Sequence, residues 1–402
     1  MSITLIVGDV HLGKGTSIGK PGVGGTLNSR ILDQMRLLDW IIDNAIDAYA
    51  TDIILTGDIC EDPKPDYILM SIFIQWLKKC ENHNIHVHII VGNHDIKRSG
   101  NNVTSFLDLV PVSEIPNATI YKQIETIYVG QVGFTLIPYR DRRFLNCESN
   151  AKALEKISET LVYELNEIPL TYDKVVVGHL TLEGAIAVGD EFDDTVNELM
   201  CPVSMFQGYD YVWMGHVHKP QVRSSSPHVA HVGSLDLSDF GETDHTKIIV
   251  VFDSDSPEKF RTVKVPSRPL RRVRLEITTQ GDTTQFVLGE IDKMNAVAPF
   301  KDALVKIELS LMGADIRHVD RVVIEKAIYG YGAFHISSFS EAKRVLVIPM
   351  DKRTDLDDTV IDPKVAIRMY ANFLKFDSDE EKGKFIEMCN GVVAEEKSKY
   401  DI

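Results

Sequence analysis

The first 265 residues of this 402-residue chain are predicted to form an α/β fold, because short apolar runs with the composition of buried strands alternate with stretches of helical periodicity. Five of the runs share a further property: each ends in a glycine followed at once by Asp, Asn or His. They lead into Gly8-Asp9-Val10-His11, Gly57-Asp58, Gly92-Asn93-His94-Asp95, Gly178-His179 and Gly215-His216-Val217-His218. Each run is rich in Val and Ile, as expected of strands covered on both faces. Glycine lets the backbone turn sharply and approach a ligand closely. Five metal-competent side chains are therefore expected at five strand ends, converging on one site.

Between these strands, residues 33 to 48 and 66 to 80 show helical spacing of apolar residues, the first through Leu37, Leu38, Ile41, Ile42, Ala45 and Ile46, and are expected to cover the sheet. The segment Lys14 to Gly25 has the look of a phosphate-binding loop, but only three residues separate Gly15 from Gly19 and Lys20 is followed by Pro21, so it is read as a loop over the site. From Arg272 to Phe339 the pattern becomes strand, helix, strand, helix, strand: Arg272 to Ile277, Thr284 to Met294, Ala303 to Leu309, His318 to Tyr329 and Ala333 to Ser337. A charged stretch from Asp351 to Asp362 precedes Asp362-Pro363, a helix start with Pro in the first turn. Val365, Met369, Phe373 and Phe376 then form one apolar stripe, and Ser378 with Glu381 forms a capping-box signature before a second stripe of Phe385, Met388, Cys389, Val392 and Val393. The expected organisation is a domain over 1–265, a small α/β domain over 266–340, a linker over 341–361 and a helical segment over 362–402.

Composition is that of an ordinary soluble protein, 44% hydrophobic and 25% charged, with no apolar run near the roughly 18 residues a membrane span needs. The N-terminus runs straight into a strand, with no export signal expected. Five cysteines, odd in number and widely spaced, suit a reduced intracellular setting; Cys60, beside a metal motif, is read as a buried thiol. A net charge of -16 argues against nucleic-acid binding by bulk electrostatics but leaves room for a local basic groove. Candidates are Arg140, Arg142 and Arg143, and the group Arg268, Arg271, Arg272 and Arg274. His83, His86, His88, His228, His245, His318 and His335 lack the strand-end context and are read as surface or packing residues.

Mixed carboxylate, amide and imidazole donors suit divalent ions such as Mn, Fe or Zn. Two such ions, about 3.5 to 4 Å apart, can clamp the attacking and leaving oxygens of an in-line phosphoryl displacement. Asp9, His11, Asp58, Asn93, His179, His216 and His218 supply the seven ligands that a pair sharing one carboxylate needs.

The order D-x-H, G-D, G-N-H-D, G-H, G-H-x-H resembles the calcineurin-like metallophosphoesterase superfamily. That resemblance implies a four-layer αββα sandwich with the metals at its edge. It assigns Asp9, His11, Asp58 and His218 to one metal and Asp58, Asn93, His179 and His216 to the other, with Asp58 as the bridge and His94 as the group that touches the scissile phosphate. The second motif, Gly57-Asp58-Ile-Cys-Glu61-Asp62-Pro63, lacks the arginine of phosphoprotein phosphatases and is similar to that of the SbcD (meiotic-recombination-eleven) nuclease family. Leu136-Ile-Pro138-Tyr-Arg140, Gly233-Ser234-Leu235, Phe240-Gly241-Glu242 and Pro269-Leu-Arg271-Arg272 carry the same resemblance, which covers most of residues 1 to 275.

The family implies a nuclease subunit, acting as exonuclease and endonuclease on DNA with two Mn²⁺ ions per chain, in repair, recombination or replication. It implies a homodimer formed through part of the helical surface, and a coiled-coil ATPase of SbcC type (Rad-fifty-like) as partner in a heterotetramer. The second domain would gate DNA access. Met369, Phe373, Phe385 and Val392 would meet the ATPase, and Lys14 with the Arg140 and Arg271 clusters would meet DNA. Glu61 departs from the family pattern of His or Asp; it is expected to orient His94, with altered geometry. A cytoplasmic setting, in a bacterial cell or a phage-infected host, is expected. The rival readings are a phosphatase or cyclic-nucleotide phosphodiesterase of the same superfamily, and a non-catalytic scaffold that binds DNA or a partner.

Overall fold

A computed structural model describes residues 2–99, 102–186, 198–278, 281–312, 318–344 and 378–399, with single positions between 367 and 376. In chain order the first strands are β1 (Ile3–Val7), β2 (Asp52–Leu55), β3 (His86–Ile90), β4 (Lys97–Ser99), β5 (Asn102–Thr104), β6 (Ala118–Tyr121), β7 (Glu125–Val129), β8 (Val132–Ile137) and β9 (Asp173–Gly178). There follow β10 (Thr181–Leu182), β11 (Met200–Cys201), β12 (Tyr211–Met214), β13 (Gln221–Ser225), β14 (His228–His231), β15 (Ile248–Asp253) and β16 (Phe260–Lys264). The helices among them are α1 (Ser29–Asp47), α2 (Tyr67–Asn82), the single turn α3 (Leu109–Val112) and α4 (Asn150–Glu167).

Two six-stranded sheets result, ordered β16-β15-β1-β2-β3-β6 and β13-β14-β12-β9-β8-β7. Side chains alternate between the faces of a strand, and the burial follows that alternation. Ile6, Ile54 and Ile90, with Phe252 of the same sheet, face the other sheet, where they join Phe134, Val175, Val177 and Trp213. Leu5, Val7, Ile53, Leu55, Val87 and Ile89 face α1 and α2. On the far side, Val176, Val212 and Met214 pack with Ala153, Ile157 and Leu161 of α4. The layers are thus αββα, as the sequence predicts.

Each of the five strands is apolar on both faces because both faces are covered. The register then sets the site: β1, β2 and β3 are parallel neighbours with Val7 beside Leu55 and Leu55 beside Ile89, and β9 lies parallel to β12 with Gly178 beside Met214. Their carboxyl ends therefore finish level along one edge of the sandwich. α1 begins at Ser29, four residues earlier than the apolar spacing indicated, because the Asn28 side chain caps the Arg30 amide at 2.9 Å. Trp76 of α2 donates its indole N–H to Leu38 O at 2.8 Å and ties the two helices together.

Beyond residue 265, β17 (Leu270–Ile277), α5 (Thr283–Val297), β18 (Leu304–Met312), α6 (Arg321–Gly330) and β19 (His335–Arg344) form a three-stranded parallel sheet with its own core of Val273, Val287, Ile291, Ile307, Ile324 and Ile328. The order of elements is the one read from the sequence. α6 starts three residues later than expected, where Asp320 caps the Val323 amide, and β19 runs seven residues further.

Residues 1–344 form one compact unit and 345–402 another. In the second, Ser378 accepts from the Glu381 amide at 3.2 Å and opens α7 (Asp379–Lys399), and the rings of Phe376 and Phe385 meet at 5.4 Å. Phe385 is half-buried and Val392 is 56% exposed; Met369 and Phe373 lie outside the described residues. Among the described residues no helix is long and apolar enough to cross a membrane.

Candidate metal centre

The glycines before the strand-end residues are required by space. At Gly57, φ is 118° and a Cβ would stand 2.6 Å from His179 Nδ1; at Gly92 it would stand 2.2 Å from Asp58 Oδ1. The residues that follow are themselves held in the left-handed region, His11 and Asp58 at φ 48° and His216 at φ 74°. Such conformations cost on the order of 1–3 kcal/mol each and persist only where surroundings enforce them.

The structure brings together all seven residues expected as ligands, six of them in two neighbouring groups with Asn93 beside the second, while a third group of His11, Glu61 and His94 shares His11 with the first. Asp9, His11 and His218 form one, with His11 Nε2 and His218 Nε2 at 3.0 Å; Asp58, His179 and His216 form the other. Asp58 Oδ2 lies 3.2 Å from His179 Nε2 and 3.6 Å from His11 Nε2, between the two groups. Asn93 Oδ1 lies 2.9 Å from His179 Nε2 and 3.0 Å from His216 Nδ1.

The outer nitrogens of these rings have acceptors. His179 Nδ1 donates to Thr56 O at 2.9 Å, His216 Nε2 to Glu198 at 2.7 Å, and His218 Nδ1 lies 3.4 Å from Glu242 Oε1. With those protons committed outward, the inner nitrogens of His179 and His216 face Asp58 and Asn93 oxygens and that of His218 faces His11 Nε2, an arrangement in which a cation that displaces the inner protons meets lone pairs from every side. The fully buried Asp9 Oδ2 has no hydrogen-bond partner among the described residues. A cluster of converging oxygen and nitrogen donors with a buried, unpaired carboxylate oxygen fits cations, and the mixed donor set fits divalent ones.

Electrostatics agree. Burial pushes the His11 imidazole down to about 4, a push that its contact with Glu61 only partly offsets. At His179 burial also opposes the charge, but the Asp58 carboxylate outweighs it and holds the ring up at about 9. Buried Asp58 is nonetheless held well below the usual carboxylate range by His179 and His11. In both cases the carboxylates attract positive charge into the site.

His94 is half-buried at the rim, its ring 5.0 Å from that of His11. Its Nδ1 donates to the main-chain oxygen of Glu61 at 2.7 Å, and its amide donates to Asp58 Oδ1 at 2.8 Å. The contact between His94 and Glu61 thus runs through the main chain, while the Glu61 side chain lies 2.8 Å from His11 Nδ1, misaligned for a hydrogen bond, and 3.2 Å from Lys14, its carboxylate grouped with His11 and His94. Burial disfavours its charge, but His11 and Lys14 hold the carboxyl down at about 2.

The basic candidates divide. Lys14 stands at the site, paired to Glu61. Arg140 is only 4% exposed, donates to Tyr139 O and Lys122 O, and stacks over Phe144 at 4.4 Å, so it braces the strand end and does not reach outward. Burial lowers its guanidinium to about 10. Arg142 is half-buried and Arg143 exposed. Arg271 donates to Pro299 O and Leu270 O, and Arg272 pairs with Glu308.

Several residues around the site were missed in the sequence. Asp95 is fully buried and its two oxygens accept from the Ile59 and Gly92 amides, both at 2.8 Å, fastening the second motif to the third. The Asp in G-N-H-D was visible, but not this use of it. Lys247 is buried and donates to His218 O, Ser234 Oγ and Glu242 Oε1, which explains why Ser234 and Glu242 stand in the motifs that carry the family resemblance. Glu198 and His231 carried no motif at all.

Residues 4–220 match the family described as Calcineurin-like phosphoesterase. The chain belongs to this family. It is by that membership a metal-dependent phosphoesterase, and the paired ligand groups are what such an enzyme requires. Among curated proteins it is similar to the SbcD component of the nuclease SbcCD from Escherichia coli strain K12 and to its counterpart from Escherichia coli O157:H7, each 24% identical over 258 residues. The similarity covers 59% of this chain and 64% of theirs, so the chain spans somewhat under two thirds of the relatives it matches. Among solved structures, a dimetal phosphatase from Danio rerio matches with a TM-score of 0.39 and 10% identity, over 66% of this chain and 99% of that one.

Proposed function

We propose that this phosphoesterase is a DNA nuclease, the catalytic subunit of an ATPase-linked end-processing complex, acting through two divalent ions with Mn²⁺ as the native metal. The observation that carries the reading is the pairing of a complete two-metal ligand set with His94 at its rim, in a chain similar to the SbcD component of the nuclease SbcCD. Asp9, His11, Asp58 and His218 would hold one ion and Asp58, Asn93, His179 and His216 the other. Bound there, the ions would supply a water of lowered pKa and neutralise phosphate charge.

The chain's own residues do the rest. Asp58, facing both groups, fixes their separation. His94 commits its Nδ1 proton to Glu61 O, so in its doubly protonated form Nε2 is the atom that gives a proton to the departing oxygen, leaving the neutral Nδ1–H tautomer behind. Lys14, paired with Glu61 beside the site, would meet a phosphate oxygen, and the exposed Arg143 the DNA backbone. The 362–402 segment supplies the ATPase contact through apolar residues such as Phe385 and Val392, the latter exposed within its own unit.

Purified protein and its His94→Ala form should be incubated with Mn²⁺ and linear duplex DNA, beside a phosphomonoester and a cyclic nucleotide. Cleavage of DNA by the parent alone is expected; hydrolysis of only the small esters would replace the nuclease with a phosphatase or phosphodiesterase. Deleting residues 355–402 should abolish co-purification of a coiled-coil ATPase while leaving metal-dependent hydrolysis of a small diester intact. Retained co-purification would remove the docking role.

A further inference from the structure

His216 occupies a backbone conformation, φ 74°, that a non-glycine residue keeps only when its neighbours hold it there. Two residues outside every motif do so. Glu198 accepts the His216 Nε2 proton at 2.7 Å and the Thr181 hydroxyl proton on the same oxygen, and its main-chain oxygen accepts from Asn150 Nδ2 at 3.1 Å. His231, 1% exposed, lies behind the same turn. Its Nε2 accepts the Leu182 amide proton at 3.2 Å, which leaves the ring proton on Nδ1 to be donated to Gly215 O at 3.0 Å.

Both routes lead to one small ribbon. Thr181 and Leu182 are β10, paired in parallel with Met200 and Cys201 of β11, and Glu198 stands two residues before that strand. The ring of His216 is thus fixed from its outer nitrogen and its turn from the preceding carbonyl. Nε2 being committed to Glu198, Nδ1 presents its lone pair toward Asn93 Oδ1.

We propose that Glu198 and His231 are positioning residues that hold His216 with its Nδ1 lone pair inward, and so set the affinity of the one metal position that His216 shares with His179 and Asn93. This rests on the two-metal reading above. It predicts an effect confined to one of two ions, which a general loss of structure would not give.

The test is calorimetric titration of the metal-free protein with Mn²⁺, together with the melting temperature of each metal-free form. Glu198→Ala should weaken one of two binding events roughly 10- to 100-fold and leave the other unchanged. Glu198→Gln, which keeps an acceptor oxygen for His216 Nε2, should bind nearly as the parent does. His231→Phe should weaken the same event, and His231→Asn, which retains a donor for Gly215 O, should weaken it less. Should Glu198→Ala fail to fold, the His231 pair reads the same position. Two unchanged binding events in Glu198→Ala, or equal losses in the Ala and Gln forms, would overturn the positioning role while leaving the metal reading in place. Absence of Mn²⁺ binding by the parent would overturn the metal reading itself.

Discussion

At the scale of single residues, the site separates two functions that one position might have combined. Glu61 orients His94 with its main-chain oxygen and contacts His11 and Lys14 with its carboxylate. Removing the side chain leaves the first function intact. Glu61→Ala should therefore lower activity by about tenfold through weaker metal binding, whereas His94→Ala should cost about 10²- to 10⁴-fold with metal binding unchanged. Steady-state rates at sub-saturating Mn²⁺, with a parallel metal titration, check this; equal losses in both variants with no change in metal affinity would return the carboxylate to His94. The expected ligands were legible in the sequence because five directly follow a strand-ending glycine and His11 and His218 stand two residues after such a position, a local signal. The direction of Glu61 was not, because a side chain with one more methylene than Asp can reach either of two histidines and only tertiary contacts choose. Arg140 was misread for a related reason: an arginine beside a functional strand end looks the same in sequence whether its guanidinium points out to phosphate or back onto Lys122 O.

At the scale of elements, the helices and strands were legible from their periodicity, while what joins them was not. Arg268, at the start of the second domain, stacks on Phe334 at 3.9 Å and makes a two-point pair with Asp33 of α1 at 2.7 Å. Asp33 also pairs with Arg30, which is fully buried and reaches Asp236 at 2.5 Å. Charged residues on a helix read as solvated, so neither Asp33 nor Arg30 stood out; the partners that meet them, Arg268 and Asp236, are more than 200 residues away in sequence. Breaking a buried ion pair from one side leaves an uncompensated charge. Asp33→Ala should accordingly destabilise residues 1–344 by about 3–5 kcal/mol, read as a lowered urea midpoint. A loss under about 1 kcal/mol would mean that the network behaves as a surface pair and does not fasten the two cores.

At the scale of the whole molecule, acid acts on stability partly through His231, which stands outside the ligand set, and this makes part of its effect separable from that of metal. Burial lowers His231 from 6.5 to about 4. Its folded pKa lies below its unfolded value, so its contribution is complete above about pH 6.5 and is lost as pH falls toward 4, on the order of 3 kcal/mol in all. Glu242 behaves in the same direction at lower pH: burial disfavours its charge, but His218 and Lys247 hold it well below its ordinary 4.5, so its contribution is lost only as pH falls beneath that value. Metal adds a separate increment at neutral pH, about 2.7 kcal/mol for one site at 100 times its dissociation constant. Urea unfolding at pH 7.5 and 5, with chelator or with Mn²⁺, should then show a pH-dependent loss in chelator that His231→Phe reduces, the remainder belonging to His11, which burial also lowers to about 4, and that Asp58→Asn does not reduce. The gain from Mn²⁺ at pH 7.5 should vanish in Asp58→Asn, because that side chain faces both ligand groups, and should survive in part in His231→Phe, where only one position is disturbed. If Asp58→Asn keeps the full Mn²⁺ gain, the ions are binding elsewhere, and the convergence of five strand ends on one edge of the sandwich would need another explanation.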